Sequence, residues 1–204
     1  MNDPSALPEG LPIPEDDGAV DHLEGMRLPI VMLPSTSGGE VDVAEVSGRG
    51  RVVVYCYPLT GASGVELPED WDLIPGARGC TPEACSFRDH HDELRGSGAE
   101  TVFGLSTQTT EYQKNLVERL HLPFEVLSDS ELAFARALRL PTFEVESSIA
   151  SQPTTLVKRL TLVVLGGGIE KVFYPIFPPN EHAGEVAAWL SENPAQLRGR
   201  TSDS

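Results

Sequence analysis

The sequence is poor in cysteine and has no long apolar run. Three cysteines in 204 residues are too few, and odd in number, for the disulfide framework of a small secreted domain. The longest apolar runs, such as the one from Leu160 to Leu165, fall far short of the ~20 residues that cross a bilayer. The first residues carry neither a basic region nor an apolar run, so they do not resemble a secretory signal. The composition predicts a cytoplasmic protein that does not enter the membrane.

Basic residues are also scarce. Lysine and arginine number 15 against 31 acidic residues, giving a formal charge of −16. Such a charge repels phosphate backbones, so the composition excludes nucleic acid as a partner. Residues 1–24 hold seven acidic residues, four prolines and no lysine or arginine. That composition predicts a flexible arm, and residues 195–204 are predicted to be a second, C-terminal tail.

Ligand motifs are scarce as well. The spacing of histidine and cysteine resembles no structural zinc site, and the adjacent pair His90 and His91 points in directions ~100° apart on a helix. The triple glycine at 166–168 is not followed by the lysine of a phosphate-binding loop, so it predicts a turn. The sequence therefore predicts neither a metal nor a cofactor.

Between the tails, short apolar runs alternate with helical patterns, which indicates a single α/β domain over residues 25–194 with a mixed central sheet flanked by helices. The predicted strands are an N-terminal hairpin at 30–33 and 41–43, buried strands at 51–57 and 100–106, a short strand at 124–127, and a hairpin at 159–165 and 169–174. The predicted helices begin near Thr81, Tyr112, Ser130 and Glu181.

The segment Thr81-Pro82-Glu83 is typical of a helix start, with threonine at the cap, proline in the first turn and an acid favoured by the helix dipole. Cys80 lies directly before it. A helix N-terminus stabilises the negative charge of a thiolate, which is the reactive form of cysteine. Cys56, by contrast, lies inside an apolar strand and is predicted to be buried and inert.

The stretch Gly79-Cys-Thr-Pro-Glu-Ala-Cys-Ser-Phe-Arg-Asp89, preceded by a strand ending in Tyr57-Pro58, resembles the peroxiredoxin family. The likeness is to the Q-type, or bacterioferritin-comigratory-protein, branch. Further matching segments follow in order from about Leu28 to Trp189, among them Gly-Leu-Ser106, Leu-Ser-Asp129 and Arg-Leu-Thr161. A spacing of two cysteines alone would be a weak signal, but these flanks make it specific.

The resemblance implies a thioredoxin-like fold and a thiol peroxidase that reduces hydrogen peroxide or organic hydroperoxides. Cys80 aligns with the peroxidatic cysteine, Cys85 with the resolving cysteine, and Arg159 with the arginine that supports the thiolate. A thioredoxin-like or glutaredoxin-like protein would be the reductant, and the chain would be a monomer or a homodimer. For Arg159 the alternative is a strand-edge arginine paired with an acid, in which case Arg78 or the helix terminus alone would activate the thiol.

The spacing of the two cysteines sets a mechanical requirement. Five residues on one α-helix give a rise of ~7.5 Å and a turn of ~140°, so the two Cα atoms would be about 8.6 Å apart. A disulfide needs Cα atoms within ~7 Å. The hypothesis is that the first turn, from Thr81 to Cys85, unwinds in each cycle.

The sequence departs from the family at one place. The family has a threonine or serine hydroxyl three residues before the cysteine, whereas this chain has Ala77. The comparison with the family predicts an insertion at 61–75, which separates Pro58 from the cysteine. Thr60 folded back is the candidate for the missing hydroxyl, and the other reading is that no hydroxyl is present. The insertion, with Trp71, is either a lid over the site or a surface loop.

Two other classes of function are compatible with the same cysteine-containing motif. One is a different thiol enzyme, such as a thiol-disulfide oxidoreductase or a specialised biosynthetic redox enzyme with a pocket made by the insertion. The other is a non-catalytic thioredoxin-fold binding module or redox sensor. Consumption of peroxide by the reduced protein separates the first reading from both of these.

Overall fold

A five-stranded mixed sheet forms the centre of the computed structural model, which describes residues 7–61, 67–68, 70–146 and 153–195. Its strands are β3 (Arg51–Cys56), β4 (Ala99–Ser106), β5 (Glu125–Ser128), β8 (Leu160–Leu165) and β9 (Gly168–Phe173), in the order β5-β4-β3-β8-β9. The pairs β3–β4 and β4–β5 are parallel, while β3–β8 and β8–β9 are antiparallel. The predicted α/β fold with a mixed sheet is confirmed.

Smaller elements surround this sheet. The N-terminal hairpin pairs β1 (Met32–Pro34) with β2 (Glu40–Asp42), and a separate small sheet pairs β6 (Thr142–Glu144) with β7 (Thr155–Val157). The helices are α1 (Val43–Val46), α2 (Cys80–Asp89), α3 (His91–Gly96), α4 (Thr110–Leu120), α5 (Ala133–Leu138) and α6 (His182–Glu192). None of the described helices is long and apolar enough to cross a membrane.

The central strand β3 is buried on both faces, which explains its uninterrupted apolar run. Its side chains alternate between two cores. Tyr55 faces the core that holds α2, α4 and α6, where its ring stacks on Phe87 with centroids 4.2 Å apart. Cys56 faces the opposite core, which holds α5. Burial raises the pKa of the Cys56 thiol strongly, in keeping with the inert role predicted for it.

Two helix starts differ from those predicted. The cap of α2 is Gly79 rather than Thr81, and its φ of 105° is a left-handed conformation that favours glycine. Helix α5 begins at Ala133 with Leu132 at its N-cap, rather than near Ser130, and the Asp129 carboxylate accepts hydrogen bonds from the backbone N–H groups of Phe134 and Ala135 at 3.0 and 2.8 Å. The cap of α2 lies earlier in the chain than predicted and that of α5 lies later, so the first turn of α2 contains Cys80 itself.

The N-terminal segment is also different from the prediction. Residues 7–24, here called the strap, lie against the domain instead of forming a flexible arm, and Leu23 is fully buried. Asp17 forms an ion pair with Lys158 at 2.7 Å and accepts a hydrogen bond from the Tyr174 hydroxyl at 2.8 Å. A segment too polar to form its own core is therefore ordered by the core of the domain. Residues 1–6 of the predicted arm lie outside the described residues.

The insertion is described only in part, at residues 61, 67–68 and 70–75. One turn of 3-10 helix, Trp71–Leu73, carries a buried tryptophan that clusters with Leu59, Ala77 and Leu156. Phe143 of β6 packs against this Trp71 ring, with centroids 6.3 Å apart. The described end of the insertion thus packs beside the start of α2. Of the predicted C-terminal tail, residues 196–204 lie outside the described residues.

Candidate active site

Cys80 is the first residue of α2, and its side chain is almost entirely buried, with 3% of the residue exposed. Its Sγ accepts a hydrogen bond from Arg159 Nη2 at 3.1 Å, and its thiol lies 3.5 Å from the carbonyl oxygen of Ala77, to which it donates. The backbone N–H of Leu59 also hydrogen-bonds to the sulfur. The sulfur therefore has a guanidinium, a backbone N–H and the positive end of a helix around it, all of which favour a thiolate.

Arg159 lies directly before β8, and its guanidinium is buried against the loop that leads into α2. Its Nε donates to the Gly76 carbonyl at 3.2 Å, and Nη2 donates to the carbonyls of Ala77 and Arg78 at 3.2 and 3.3 Å. Its Nη1 forms an ion pair with the carboxylate of Glu83. Arg159 thus contacts the thiol and is also paired with an acid, so both features expected of it are present together.

The pKa of Cys80 reflects two opposed effects. Burial raises it above its ordinary value and is the largest effect, while the Arg159 charge and the Leu59 N–H lower it. Glu83 adds a smaller upward contribution through its negative charge. In the closed site described here, loss of hydration outweighs the effect of the Arg159 charge on the pKa of Cys80.

Glu83 is the residue that sequence reasoning did not place in the site. It was interpreted only as an acid in the first turn of a helix, but its side chain is fully buried beside Arg159. Burial raises the pKa of the Glu83 carboxyl and the Arg159 charge opposes that rise. Its Oε1 has no hydrogen-bond partner within the described part of the chain. One arginine therefore faces two groups that can carry negative charge, the carboxylate of Glu83 and the sulfur of Cys80.

Cys85 lies on the same helix, one turn further on, and is 1% exposed. Its thiol interacts with the side chain of Arg88. The two sulfurs of Cys80 and Cys85 are not joined in a disulfide, and the helix from Cys80 to Asp89 is continuous between them. The structure is thus that of a reduced, closed site.

Thr60 lies in a buried turn next to Leu59, so the structure brings this segment to the thiol. Its hydroxyl and its backbone N–H both donate to Gln108 Oε1 at 3.0 Å, and Gln108 Nε2 donates back to the Thr60 carbonyl at 3.1 Å. The hydroxyl of Tyr112 donates to the same carbonyl at 2.9 Å. Gln108 therefore fixes the turn while it holds the Thr60 hydroxyl, and the group that reaches the sulfur from this segment is the Leu59 N–H.

A cavity of about 420 Å³ lies beside Arg159, between the strap and the loop before α2. We call it the strap cavity. Its lining comes from the strap (residues 13–15 and 17), the end of the insertion with Gly76 (residues 74–76), Phe143, residues 158–159 and residues 174–176.

Residues 23–188 match the Redoxin family. The chain belongs to the peroxiredoxin family. Within it, the chain is 30% identical over 170 residues to peroxiredoxin Bcp of Escherichia coli K12, covering 83% of this chain and 96% of the relative. This places it in the Q-type and bacterioferritin-comigratory branch, as predicted, and makes it a thiol-dependent peroxidase.

Solved structures agree on the fold. The chain superposes on peroxidoxin BcpB of Mycobacterium tuberculosis with a TM-score of 0.64 and 22% identity, covering 85% of this chain and 100% of that one. A bacterioferritin comigratory protein of Xanthomonas campestris, whose structure is described in connection with its alkyl peroxide reduction activity, gives a TM-score of 0.60 at 17% identity, over 89% and 98% of the two chains. The thioredoxin-like fold predicted for this chain is thereby confirmed.

Proposed function

We propose that this peroxiredoxin reduces hydroperoxides by direct attack of Cys80. The thiolate attacks one peroxide oxygen, an S–O bond forms and the O–O bond breaks, and the leaving oxygen takes up a proton as water or an alcohol. The sulfur is oxidised to a sulfenic acid and the peroxide is reduced by the same two electrons. The observation that carries this proposal is the contact between Arg159 Nη2 and Cys80 Sγ at 3.1 Å, at the first turn of a helix.

Cys85 is proposed to resolve the sulfenic acid. Its thiolate attacks the Cys80 sulfur, an S–S bond forms, and the hydroxyl leaves as water after protonation. The continuous helix α2 separates the two Cα atoms by about 8.6 Å in ideal geometry, beyond the ~7 Å of a disulfide. The first turn of α2 must therefore unwind before the bond can form.

A second thiol protein completes the proposed cycle. A thiolate of a thioredoxin-type reductant attacks the disulfide and forms a mixed disulfide. The second thiolate of the reductant then attacks that bond, which releases this protein in the dithiol form and leaves the reductant as a disulfide. Such reductants maintain thiols in the cytoplasm, which is where we propose that the cycle runs. Thr60 is proposed to contribute through the turn that presents the Leu59 N–H to the sulfur.

Both hydrogen peroxide and organic hydroperoxides are proposed as substrates. The alkyl peroxide reduction described for the Xanthomonas campestris relative supports the organic class. The contacts of Cys80 with Arg159 and with the Leu59 N–H are suited to the peroxide group itself, which both classes share.

The deciding experiment is a stopped-flow measurement of peroxide reduction by the pre-reduced protein, with mass spectrometry of the product. We expect Cys80→Ser to abolish the reaction, and Cys85→Ser to complete one turnover and accumulate sulfenic acid. Cys56→Ser is the matched control, since Cys56 lies in the opposite core and should retain the wild-type rate. Equal single-turnover rates for the wild type and Cys80→Ser would refute the assignment, and disulfide exchange without peroxide consumption would favour a thiol-disulfide oxidoreductase.

A further inference from the structure

The guanidinium of Arg88 lies against the second cysteine of the site. Arg88 is three residues after Cys85 on α2, and side chains with that spacing share one face of a helix. Its side chain forms a hydrogen bond with the Cys85 thiol. Cys85 is 1% exposed, whereas 32% of the Arg88 side chain is exposed. A cation that reaches the surface is therefore held against a buried thiol.

Two further contacts fix the position of this guanidinium. Its Nε donates to Asp89 Oδ1 at 2.8 Å, and its Nη1 donates to the carbonyl oxygen of Leu120 at 3.0 Å. Leu120 is the last residue of α4, where backbone carbonyls lack partners within their own helix. Arg88 thus connects the last turn of α2 to the end of α4. Its position beside Cys85 is set by groups that take no part in the thiol chemistry.

Arg88 is remote from the sulfur that attacks the peroxide. Cys80 and Arg88 are eight residues apart on α2, which corresponds to a rise of about 12 Å along the helix axis. The sulfur of Cys80 has a different cation, Arg159, at 3.1 Å. Each of the two cysteines on α2 therefore contacts an arginine of its own.

Resolution of the sulfenic acid requires a thiolate. A free cysteine thiol has a pKa near ~8.5, so most of it is protonated at neutral pH. Burial in a protein disfavours the charged form further, whereas a cation hydrogen-bonded to the sulfur favours it. The contact of Arg88 with Cys85 supplies such a cation to the thiol that has to ionise in the second step.

We propose that Arg88 is a catalytic residue of the resolution step, in which it stabilises the Cys85 thiolate that attacks the Cys80 sulfenic acid. The inference rests on the proposed function, because it takes Cys85 as the resolving thiol. Cys85 releases its proton, and its sulfur forms the S–S bond with an electron pair of its own. The S–O bond of Cys80 breaks, and the leaving hydroxide takes up a proton to become water.

The first test measures the pKa of Cys85 directly, from the ultraviolet absorbance of its thiolate. In the double variant Cys56→Ala, Cys80→Ser it is the one thiol left of the three in the sequence. We expect Arg88→Gln in this background to raise the pKa of Cys85 by about one unit. This is the lower end of the range for a neighbouring cation, because Arg88 is partly exposed and also paired with Asp89.

Two further variants show whether charge or packing is responsible. Arg88→Lys should restore part of the effect, because lysine keeps the positive charge but lacks the planar fork that reaches several partners at once. Arg95→Gln is the matched control and should leave the pKa of Cys85 unchanged, since Arg95 of α3 donates to an exposed backbone carbonyl, that of Glu100, at 2.6 Å. An unchanged Cys85 pKa in Arg88→Gln would overturn the inference.

The second test follows both steps in the chain with all three cysteines, after one equivalent of hydrogen peroxide, by rapid quench and mass spectrometry. Arg88→Gln should form the sulfenic acid at the wild-type rate and convert it to the disulfide about threefold more slowly at neutral pH. A pKa one unit higher leaves about a tenth of the thiolate, and the less acidic thiolate is about threefold more nucleophilic. Above the pKa values of both proteins, the deficit should disappear or invert.

The outcomes separate this inference from the proposed function. If the disulfide forms in the wild type and Arg88→Gln resolves at the same rate as Arg95→Gln, the role of Arg88 is refuted and the proposed cycle stands. A deficit of the same size at every pH would mean that Arg88 only supports the helix, and it would also overturn the inference. If the wild type forms no disulfide between Cys80 and Cys85, the proposed function itself fails. Denaturant unfolding verifies the fold of Arg88→Gln, and Arg88→Lys takes its place in both tests if that variant is unfolded.

Discussion

At the scale of single residues, the site is a buried arginine shared between a carboxylate and a thiol. Arg159 touches Cys80 Sγ with one nitrogen and Glu83 with another. Since all three groups are buried, the charge of each strongly affects the others. The reactivity of Cys80 therefore depends on how strongly the Arg159 charge interacts with the Cys80 thiolate and how strongly it interacts with the Glu83 carboxylate.

The role of Arg159 is tested by the pH dependence of alkylation at Cys80. Arg159→Ala should raise the pKa of Cys80 further, by roughly one to three units, because the cation that opposes burial is removed. Arg159→Lys should restore only part of the effect, since lysine lacks the planar fork that reaches both partners. Arg78→Ala is the matched control, because the Arg78 side chain pairs with Asp72 at 3.0 Å near the surface. If the pKa of Cys80 shifts in Arg78→Ala and not in Arg159→Ala, then Arg78, and not Arg159, stabilises the thiolate.

Glu83 should act on the thiol in the opposite direction. Glu83→Gln removes a negative charge that raises the pKa of Cys80, while the amide oxygen can still accept from Arg159, so we expect the pKa of Cys80 to fall. Glu83→Ala should instead destabilise the protein by roughly 3–5 kcal/mol, because it leaves the buried Arg159 charge without its carboxylate. Alkylation kinetics measure the pKa of Cys80 in Glu83→Gln, and denaturant unfolding measures the stability of Glu83→Ala.

Glu93→Gln, at an exposed site on α3, is the control for both measurements. An unchanged Cys80 pKa in Glu83→Gln would mean that Glu83 is already neutral.

Sequence reasoning placed Cys80, Arg159 and Cys85 because they belong to a motif with ordered flanks. It missed Glu83, since an acid in the first turn of a helix is compatible with either an exposed or a buried side chain. The packing of Arg159 against that turn determines that the Glu83 side chain is buried. This is a contact between residues far apart in the chain. The orientation of Thr60 was equally out of reach, because it is set by the side chain of Gln108.

At the scale of the elements, the strands predicted from the sequence agree best with the structure where the local sequence pattern is strong. The strand β3 was predicted as 51–57 and is observed as Arg51–Cys56, because a run of β-branched and aromatic residues has few alternatives. The strands β6 and β7 have three residues each and were not predicted. They are defined by pairing with each other and by the contact of Phe143 with Trp71, neither of which leaves a period in the sequence.

Helix α2 is the element whose conformation should change during the cycle. In the disulfide form, backbone amides from Glu83 to Phe87 should lose most of their protection from hydrogen exchange, because the first turn must unwind to bring Cys80 and Cys85 together. Amides of α4 serve as an internal reference. Cys85→Ser oxidised to the sulfenic acid should keep its protection, since no disulfide forms. Equal protection of Glu83–Phe87 in the reduced and disulfide forms would refute the unwinding.

At the scale of the whole molecule, the strap joins the N-terminus to the catalytic face. Its acidic composition suggested a free arm, yet the same acids attach it, through Asp17 to Lys158 and through Glu24 to Lys171 at 3.1 Å. Leu23 anchors it in the core. Composition predicts whether a segment can fold alone, but it does not show which contacts with the rest of the chain can hold that segment in place. The strap thereby lines the cavity beside Arg159.

The Asp17 attachment should depend on pH with a definite sign. Hydrogen bonds from Lys158 and Tyr174 lower the pKa of Asp17 from 3.8 to about 2. A lowered pKa in the folded state means that the stabilisation is complete above pH 3.8 and is lost as the pH falls through about 2. Because the Asp17 side chain is 45% exposed, solvent screening keeps this contribution small. The Asp17 carboxyl titration, followed by NMR, should therefore have its midpoint well below that of an exposed aspartate.

Removing the charge at neutral pH should reproduce the same loss without acid. We expect Asp17→Asn to increase hydrogen exchange in residues 7–18 severalfold and to speed alkylation of Cys80, because the strap closes one side of the cavity that Arg159 lines. Asp16→Asn is the matched control, since the one hydrogen bond that the Asp16 carboxylate accepts within the described part of the chain is local, from the Gly18 N–H at 3.0 Å. Global unfolding should change little in either variant, as Leu23 still anchors the segment. If Asp17→Asn and Asp16→Asn behave alike, the strap is held by its apolar contacts alone, and the ion pair with Lys158 has no part in closing the site.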